Sequence, residues 1–521
     1  MTRSLLLSLV VFALGCGPVH QPPNTTLPAQ RADWHAAVDW DAAGAEATAV
    51  LAGYLQTDTR NPPGGESLGA EYLARILTAE GIDSQVHEFE PGRGSLVARL
   101  KGVGTEPPLC LLSHIDVVPW EEGGWDEGKG PLSGTVDADG ILWGRGALDM
   151  KGMGALELLT MVWLKRLGVP LKRDVVLLAV ADEEVHNAGA RLILEQHWDD
   201  IGCSHMVNEG GLGVRGVFFD DQTVYAISVA EKGTLWLRMK ATGDPGHGST
   251  PRPNEAPTRL LDALQLLRES WRPEPEYHEA LAELFYRVGE PRKGLERDVL
   301  IRPGAVRSLL EGKLMGNPAT AAMITNTVHI TGLEGANKPN VVPGEVAALL
   351  DCRIQPGTDP LAVLREIEAI FVDQPWISFE VIQSYPGAGS PYDDPFYGAL
   401  ARAMTDGRDD AVAGPIVSVG FTDSIFFRAK GVHAYGIEPF DVTGEDLATM
   451  HGHKERISTA NVSDGLRRLF MAVVDFTAAD GGTVPPAPMK PPGELPTAAV
   501  TSLTPEPAPV EAIEEAEEAS P

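Results

Sequence analysis

The sequence is poor in several features that would assign it to large classes of protein. It has four cysteines in 521 residues and no CxxC pair, which argues against a disulfide-built scaffold and a cysteine-rich zinc module. Cys110, Cys203 and Cys352 each sit in or beside an apolar run and read as isolated buried thiols. Basic charge is also scarce, with 42 Lys and Arg against 73 Asp and Glu, a net charge of −31. Such a surface repels nucleic-acid phosphates and anionic headgroups, so no nucleic-acid partner is expected. Aromatic residues make up only 6%, yet 43% of the chain is hydrophobic, enough to bury a sizeable core in more than one domain. No repeat of fixed period is visible, which argues against solenoids and propellers.

The two ends stand apart from the rest. Residues 1–17 carry Arg3, an apolar run from Leu5 to Leu14, and then Gly15-Cys16. That run is about half of the ~20 residues a membrane span needs, so it reads as a secretion signal. Gly15-Cys16 resembles the bacterial lipobox, whose cysteine is acylated, although Ala13 stands where Leu is usual. The resemblance implies an exported protein, periplasmic or held to a membrane only through a lipid on Cys16. Residues 18–40 read as a linker. Residues 481–521, rich in Pro, Ala, Thr and Glu, have too few large apolar groups to offset their ordering entropy and read as a disordered tail.

Between these ends, strands and helices alternate. Leu109–Ser113 and Asp174–Ala181 are apolar runs without alternation, as expected of strands covered on both faces, and His205–Asn208 is a shorter third. Helical spacing follows at 42–55, 68–80, 152–167, 188–197, 256–268 and 360–371. The alternation predicts an α/β fold with a mostly parallel, doubly wound sheet, in which ligands gather at the carboxyl ends of strands. At those ends stand His114-Ile115-Asp116, Asp182-Glu183-Glu184 and Glu209-Gly210-Gly211, and Asp149 precedes the helix that opens at Gly152. So many carboxylates in one place require a counter-charge, and only Arg145 and Lys151 are near in sequence. Both of these read as loop or helix anchors. Divalent metal held by His, Asp and Glu is the economical alternative, which suits Zn²⁺, with Co²⁺ or Mn²⁺ as alternatives.

These segments, together with Gly144-Arg145-Gly146-Ala147-Leu148-Asp149-Met150-Lys151-Gly152 and Met450-His451-Gly452-His453-Lys454-Glu455, resemble the consecutive motifs of the M20 metallopeptidase family. The resemblance runs from about residue 45 to 475. It implies that His114 and Glu209 hold one metal ion, Glu184 and His451 a second, and that Asp149 bridges them. Glu183 is then the general base, acting on a water shared by the two ions. Lys454 stands where the family has Asn, and His453 is the alternative ligand to His451. Physical chemistry agrees with this allocation. Two ions about 3.5–4 Å apart acidify a shared water and polarise a carbonyl, which needs one bridging carboxylate and one spare base. Asp116, two residues after His114, is placed to accept the other imidazole N–H.

The resemblance also implies an inserted α+β lid domain over residues 231–354, of the kind used for homodimerisation, between catalytic parts 41–230 and 355–480. Within it, the alternation of Leu235-Trp236-Leu237-Arg238-Met239-Lys240 predicts a strand wetted on one face. His247 matches the family's oxyanion-binding histidine, which in dimeric members reaches the neighbouring site. Asn340 and Arg353 match residues that hold the substrate's carboxylate, and Thr422 lies in a segment near substrate. The implied activity is amide-bond hydrolysis releasing a free amino acid from short peptides, of carboxypeptidase or dipeptidase type. Hydrolysis of N-acyl amino acids, as in aminoacylases, is the alternative, and a non-catalytic, metal-stabilised binding lipoprotein is the rival from another class. His87, His186, His197, His205, His278, His329 and His433 have no partner motif and read as structural or solvated.

Overall fold

The apolar runs become the middle of the main sheet. In the computed structural model, which describes residues 19–21, 33–480 and 482–502, β1 (Glu106–His114), β2 (Arg173–Val180), β3 (His205–Asn208) and β4 (His433–Gly436) lie in the order β2-β1-β3-β4, all parallel. Successive side chains of a strand point to opposite faces, and both faces are dry here. Leu109, Leu111, Val175 and Leu177 enter one core, while Cys110, Leu112, Val176 and Leu178 enter another. Continuous apolar sequence is what such a strand requires.

The first core is closed by α1 (Trp40–Leu55), α2 (Lys151–Arg166), α3 (Pro395–Thr405) and α4 (Thr459–Thr477), through residues such as Leu51, Leu159, Leu400 and Leu469. Each fully buried leucine contributes about 1.5–3 kcal/mol. The helix starts are written in the sequence: Asp39, Asp394 and Ser458 accept from backbone N–H groups of the first turns of α1, α3 and α4, and Pro395 takes a first-turn position where its missing N–H costs nothing. Helices Ala188–Gln196 and Ser424–Ala429 cover the second core with Ala190, Ile193 and Phe427. Antiparallel strands extend both margins, Arg93–Leu100 beside β2 and Thr223–Glu231 beside β4. Among the described residues the sheet has ten strands and is mixed, parallel at its centre.

The lid is a second, four-stranded sheet. Strand Gly233–Thr242 alternates as expected, with Leu235, Leu237 and Met239 buried and Trp236, Arg238 and Lys240 half-exposed. It is flanked by Glu345–Ile354 and Ile377–Tyr385, both antiparallel to it, and Thr327–Glu334 lies outermost. Helices Ala256–Ser270 and Pro360–Ala369 cover the buried face. The boundaries differ from those read in the sequence. Pro360–Ala369 and Ile377–Tyr385 belong to the lid, so it ends near residue 386 rather than 354. Conversely, Leu284, Phe285 and Val288 of helix Glu279–Gly289 pack against Val224, Val412 and Ile416 of the main sheet. Strand partners so far apart in the chain leave no local pattern.

Two further readings need correction. Cys110 and Cys203 are joined as a disulfide, with Cα atoms 5.9 Å apart, and among the described residues only Cys352 is a free buried thiol. The parallel register puts Cys110 opposite Met206, three residues from Cys203, a proximity that is invisible until the strands pair. The stretch 482–502 is not a loose tail. Met489 bridges to Val38, Arg75 Nη2 donates to the Ala498 carbonyl at 2.6 Å, and Val500 is buried. The proposed signal at residues 1–17, with Cys16, lies outside the described residues, as do most of the linker and residues 503–521.

Candidate active site

Parallel strands end on the same side of a sheet, and the motif residues follow those ends. β1 closes at His114, Glu183 and Glu184 come just after β2, and Glu209 directly follows β3. Asp182 has φ of +70°, a left-handed turn that ends strand geometry and lets two adjacent glutamates share one site. His114 Nε2 lies 3.0 Å from Asp149 Oδ1 and 3.9 Å from Glu209 Oε1. His451 Nε2 lies 2.7 Å from Asp149 Oδ2 and 3.3 Å from Glu184 Oε1. The expected ligands therefore form two donor sets, His114/Asp149/Glu209 and Asp149/Glu184/His451, that share Asp149 through its two oxygens. His453 is elsewhere, 3.8 Å from Glu121.

The chemistry of these sets fits divalent metal. Among the described residues, none of Asp149, Glu183, Glu184 and Glu209 is ion-paired to Lys or Arg, and buried Glu184 Oε1 has the His451 imidazole, 3.3 Å away, as its charged neighbour. Burial, and then the neighbouring Glu209 carboxylate, hold the Glu183 carboxyl well above the usual carboxylate range. Glu209 is raised by burial and by Asp149. Burial would lower His114, but hydrogen bonding to Asp149 and the charge of Glu209 take it well above the ordinary imidazole value. Hydrogen bonds to Asp149 and Glu184 push His451 up to about 10. Protons are thus held where cations would reside, and a bound cation inverts that balance.

Supporting contacts hold the ligand loops. Glu455, in the last motif but without an expected role, accepts from the backbone N–H groups of Gly146, Leu148 and Asp149 at 2.8–3.1 Å and from Arg145 at 2.5 Å. Arg145 is thus a loop anchor, as read. Lys151 is buried, donating to the carbonyls of Tyr54 and Thr57. Asp116 differs from expectation: His114 Nδ1 meets its backbone carbonyl at 2.9 Å. Its carboxylate instead accepts from the backbone N–H groups of Glu183 and Glu184, each at 3.1 Å, and from Asn61 at 2.9 Å. Asp116 therefore positions the turn carrying Glu183. Asn61, which also donates to Asp182 at 2.8 Å, has no motif around it that could have drawn notice.

The donor sets open into a cleft of about 590 Å³ between main sheet and lid, also lined by Lys232, Trp236, His329, Arg353 and Thr422. Arg353 is paired with Asp351 at 2.8 Å, and its Nη1 is buried without a hydrogen-bond partner. Thr422 reaches the lining, though its hydroxyl donates to buried Glu231, itself paired with Arg428. His247 and Asn340 are not in the cleft. They sit together on a two-stranded ribbon, Gly248 N–H donating to the Asn340 carbonyl, and both are exposed.

The profile of Peptidase family M20/M25/M40 matches residues 110–474, well over half of the chain. The chain belongs to this family. This M20 hydrolase is 28% identical over 385 residues to the N-fatty-acyl-amino acid synthase/hydrolase of Homo sapiens, covering 70% of this chain and 74% of that protein. It is 26% identical over 423 residues to Aminoacylase-1 of Sus scrofa, covering 78% and 89%. Its fold is similar to an M20 family metallo-carboxypeptidase from Sulfolobus solfataricus, with TM-score 0.60 and 18% identity over 82% of this chain and 98% of that one. Human carnosine dipeptidase 1 superposes with TM-score 0.58 and 18% identity over 84% and 97%. M20 enzymes are metal-dependent hydrolases, in accord with the paired donor sets.

Proposed function

We propose that the protein hydrolyses an amide bond and releases a free amino acid from short peptides, in the manner of a carboxypeptidase or dipeptidase. One observation carries the reading: two donor sets share Asp149 beside an unligated glutamate, Glu183, at the floor of a cleft. His114, Glu209 and Asp149 would hold one divalent ion and Asp149, Glu184 and His451 the other, zinc suiting this nitrogen and oxygen set. Such ions supply Lewis acidity toward the scissile carbonyl and the attacking water. Glu183 takes the proton from that water and passes it to the leaving nitrogen. Arg353, with a free edge of its planar guanidinium at the cleft, receives the substrate's carboxylate.

The second reading, N-acyl-amino-acid hydrolysis, is favoured by the sequence relatives named above and by the apolar residues Trp236, Val419 and Phe421 along the cleft. Metal analysis with a screen of dipeptides against N-acyl amino acids decides between the two. Metal bound without amino-acid release from either panel would overturn both and favour a binding protein.

The lid ribbon carrying His247 and Asn340 suits a homodimer in which these residues serve a second copy's cleft, and light scattering of the full chain tests it. Export, with a lipid on Cys16, is supported by the Cys110–Cys203 disulfide, a bond that persists in oxidising compartments. Fractionation of cells producing Cys16→Ser beside the unaltered chain tests the anchor.

A further inference from the structure

A second group of metal-type donors lies at the opposite end of the main sheet. His205 and His433 begin β3 and β4 and are cross-strand partners in that parallel ladder. The two rings meet edge to face, centroids 5.2 Å apart, and Asp394, which caps α3, reaches both. Its Oδ2 is 3.2 Å from His205 Nε2 and 2.9 Å from His433 Nδ1, all three within 4.8 Å of one another. Glu209, the catalytic-side ligand, follows the far end of β3, four residues and about 13 Å away at the rise of a strand.

We infer that His205, Asp394 and His433 bind a further divalent cation of the zinc class, separate from the catalytic pair. Donor spacing is the first argument. Ligand bonds of about 2.0–2.1 Å in a tetrahedron place neighbouring donors about 3.3 Å apart. Asp394 Oδ2 keeps about that distance from each imidazole, 3.2 and 2.9 Å, as Asp149 and Glu184 do in the catalytic sets, at 3.0, 2.7 and 3.3 Å, where the His114–Glu209 pair is wider at 3.9 Å. Ring orientation is the second. Ser204 Oγ lies 2.8 Å from His205 Nδ1. That contact holds the ring with Nε2 facing Asp394 Oδ2, as a ligating imidazole is held through its other nitrogen. His114 repeats the pattern, with Nδ1 on a carbonyl and Nε2 toward Asp149.

The surroundings fix the donors. Asp394 Oδ1 accepts the Phe396 N–H at 2.7 Å, which orients Oδ2 to the rings. Phe396 and Phe476 pack edge-on against His205 at 6.2 and 4.7 Å, an apolar wall on one side. Among the described residues Asp394 has no Lys or Arg ion partner; its charged contacts are the two imidazoles. The His433 side chain is 41% exposed, which leaves an entry path and a place for a water as fourth ligand. A cation there ties β3, β4 and the start of α3 into one unit and acts on stability rather than on the reaction.

The test uses the untagged full chain, stripped of metal and dialysed against micromolar zinc, with metal counted by mass spectrometry. His433→Ala should bind one equivalent fewer than the unaltered chain and keep its turnover. Equal zinc content in the two overturns the inference. In a chain carrying His114→Ala and His451→Ala, zinc should still raise the melting temperature, and adding His433→Ala should abolish that rise. A zinc response that survives His433→Ala also overturns it. Neither readout depends on hydrolysis.

Discussion

Asp116→Asn isolates the task of one buried carboxylate from that of its own main chain. The carboxylate accepts three hydrogen bonds, from Asn61 and from the backbone N–H groups of Glu183 and Glu184. The His114 ring leans on the Asp116 carbonyl, which the substitution leaves in place. An asparagine amide has one oxygen and one NH₂, so in either orientation at least one N–H donor meets another donor. Each hydrogen bond to a charged group is worth about 1.5–3 kcal/mol. At about 1.4 kcal/mol per factor of ten, losing one costs roughly 10–100-fold in kcat as the Glu183 turn shifts. Zinc content and zinc affinity should match the unaltered protein, because His114 is still held. The measurement is steady-state kinetics at full metal loading alongside zinc titration. An Asp116→Asn protein that loses an equivalent of zinc while keeping kcat when resaturated would show that the carboxylate serves the imidazole, and the reasoning fails.

Four other perturbations have expected outcomes. Glu183→Gln should cut kcat by about 10²–10⁴-fold, the range for a lost general base, with zinc content unchanged by mass spectrometry. Protons compete with metal at His451, whose raised value of about 10 lies above the ordinary ~6.5 of an unfolded chain. Its pairing with Asp149 and Glu184 therefore stabilises the metal-free protein below pH 6.5 and is lost as pH rises toward 10, which metal-free melting curves will register. Over the same window, zinc affinity should climb by up to about tenfold per pH unit at this ligand, readable by calorimetry. Glu455→Ala strands Arg145 in the interior and should destabilise the fold by about 3–5 kcal/mol in urea titrations. Reducing the Cys110–Cys203 bond, which spans 93 residues, should cost about 2–5 kcal/mol, seen as a lower urea midpoint in dithiothreitol.

Much of the candidate metal centre is legible in the chain because each expected ligand sits within three residues of the end of an apolar run or beside a glycine-rich turn. His114 and Glu209 need only the rule that parallel strands end together. Glu183 and Glu184 need, besides, that the strand stops before them, which the left-handed Asp182 ensures. What could not be read depends on pairing between distant segments. Ile377–Tyr385 becomes a lid strand only by lying against Gly233–Thr242. Cys110 and Cys203 meet because β1 and β3 are adjacent. The Asp116 carboxylate could have served either His114 or the glutamate turn, and only side-chain direction decides. His205 and His433 each look solitary along the chain, and their ladder register makes them a pair.

The segment that follows α4 changes where this protein can be cut. Met489 exchanges backbone hydrogen bonds with Ala37 and Asp39 at the opening of α1, Thr497 presses its carbonyl toward Gly53, and the Val500 N–H reaches the Thr57 hydroxyl just beyond the helix. One extended strap thus grips α1 from its first turn to its last. Trimming an expression plasmid at the Pro-rich composition break would shear away that brace, whereas ending it past residue 502 would spare it.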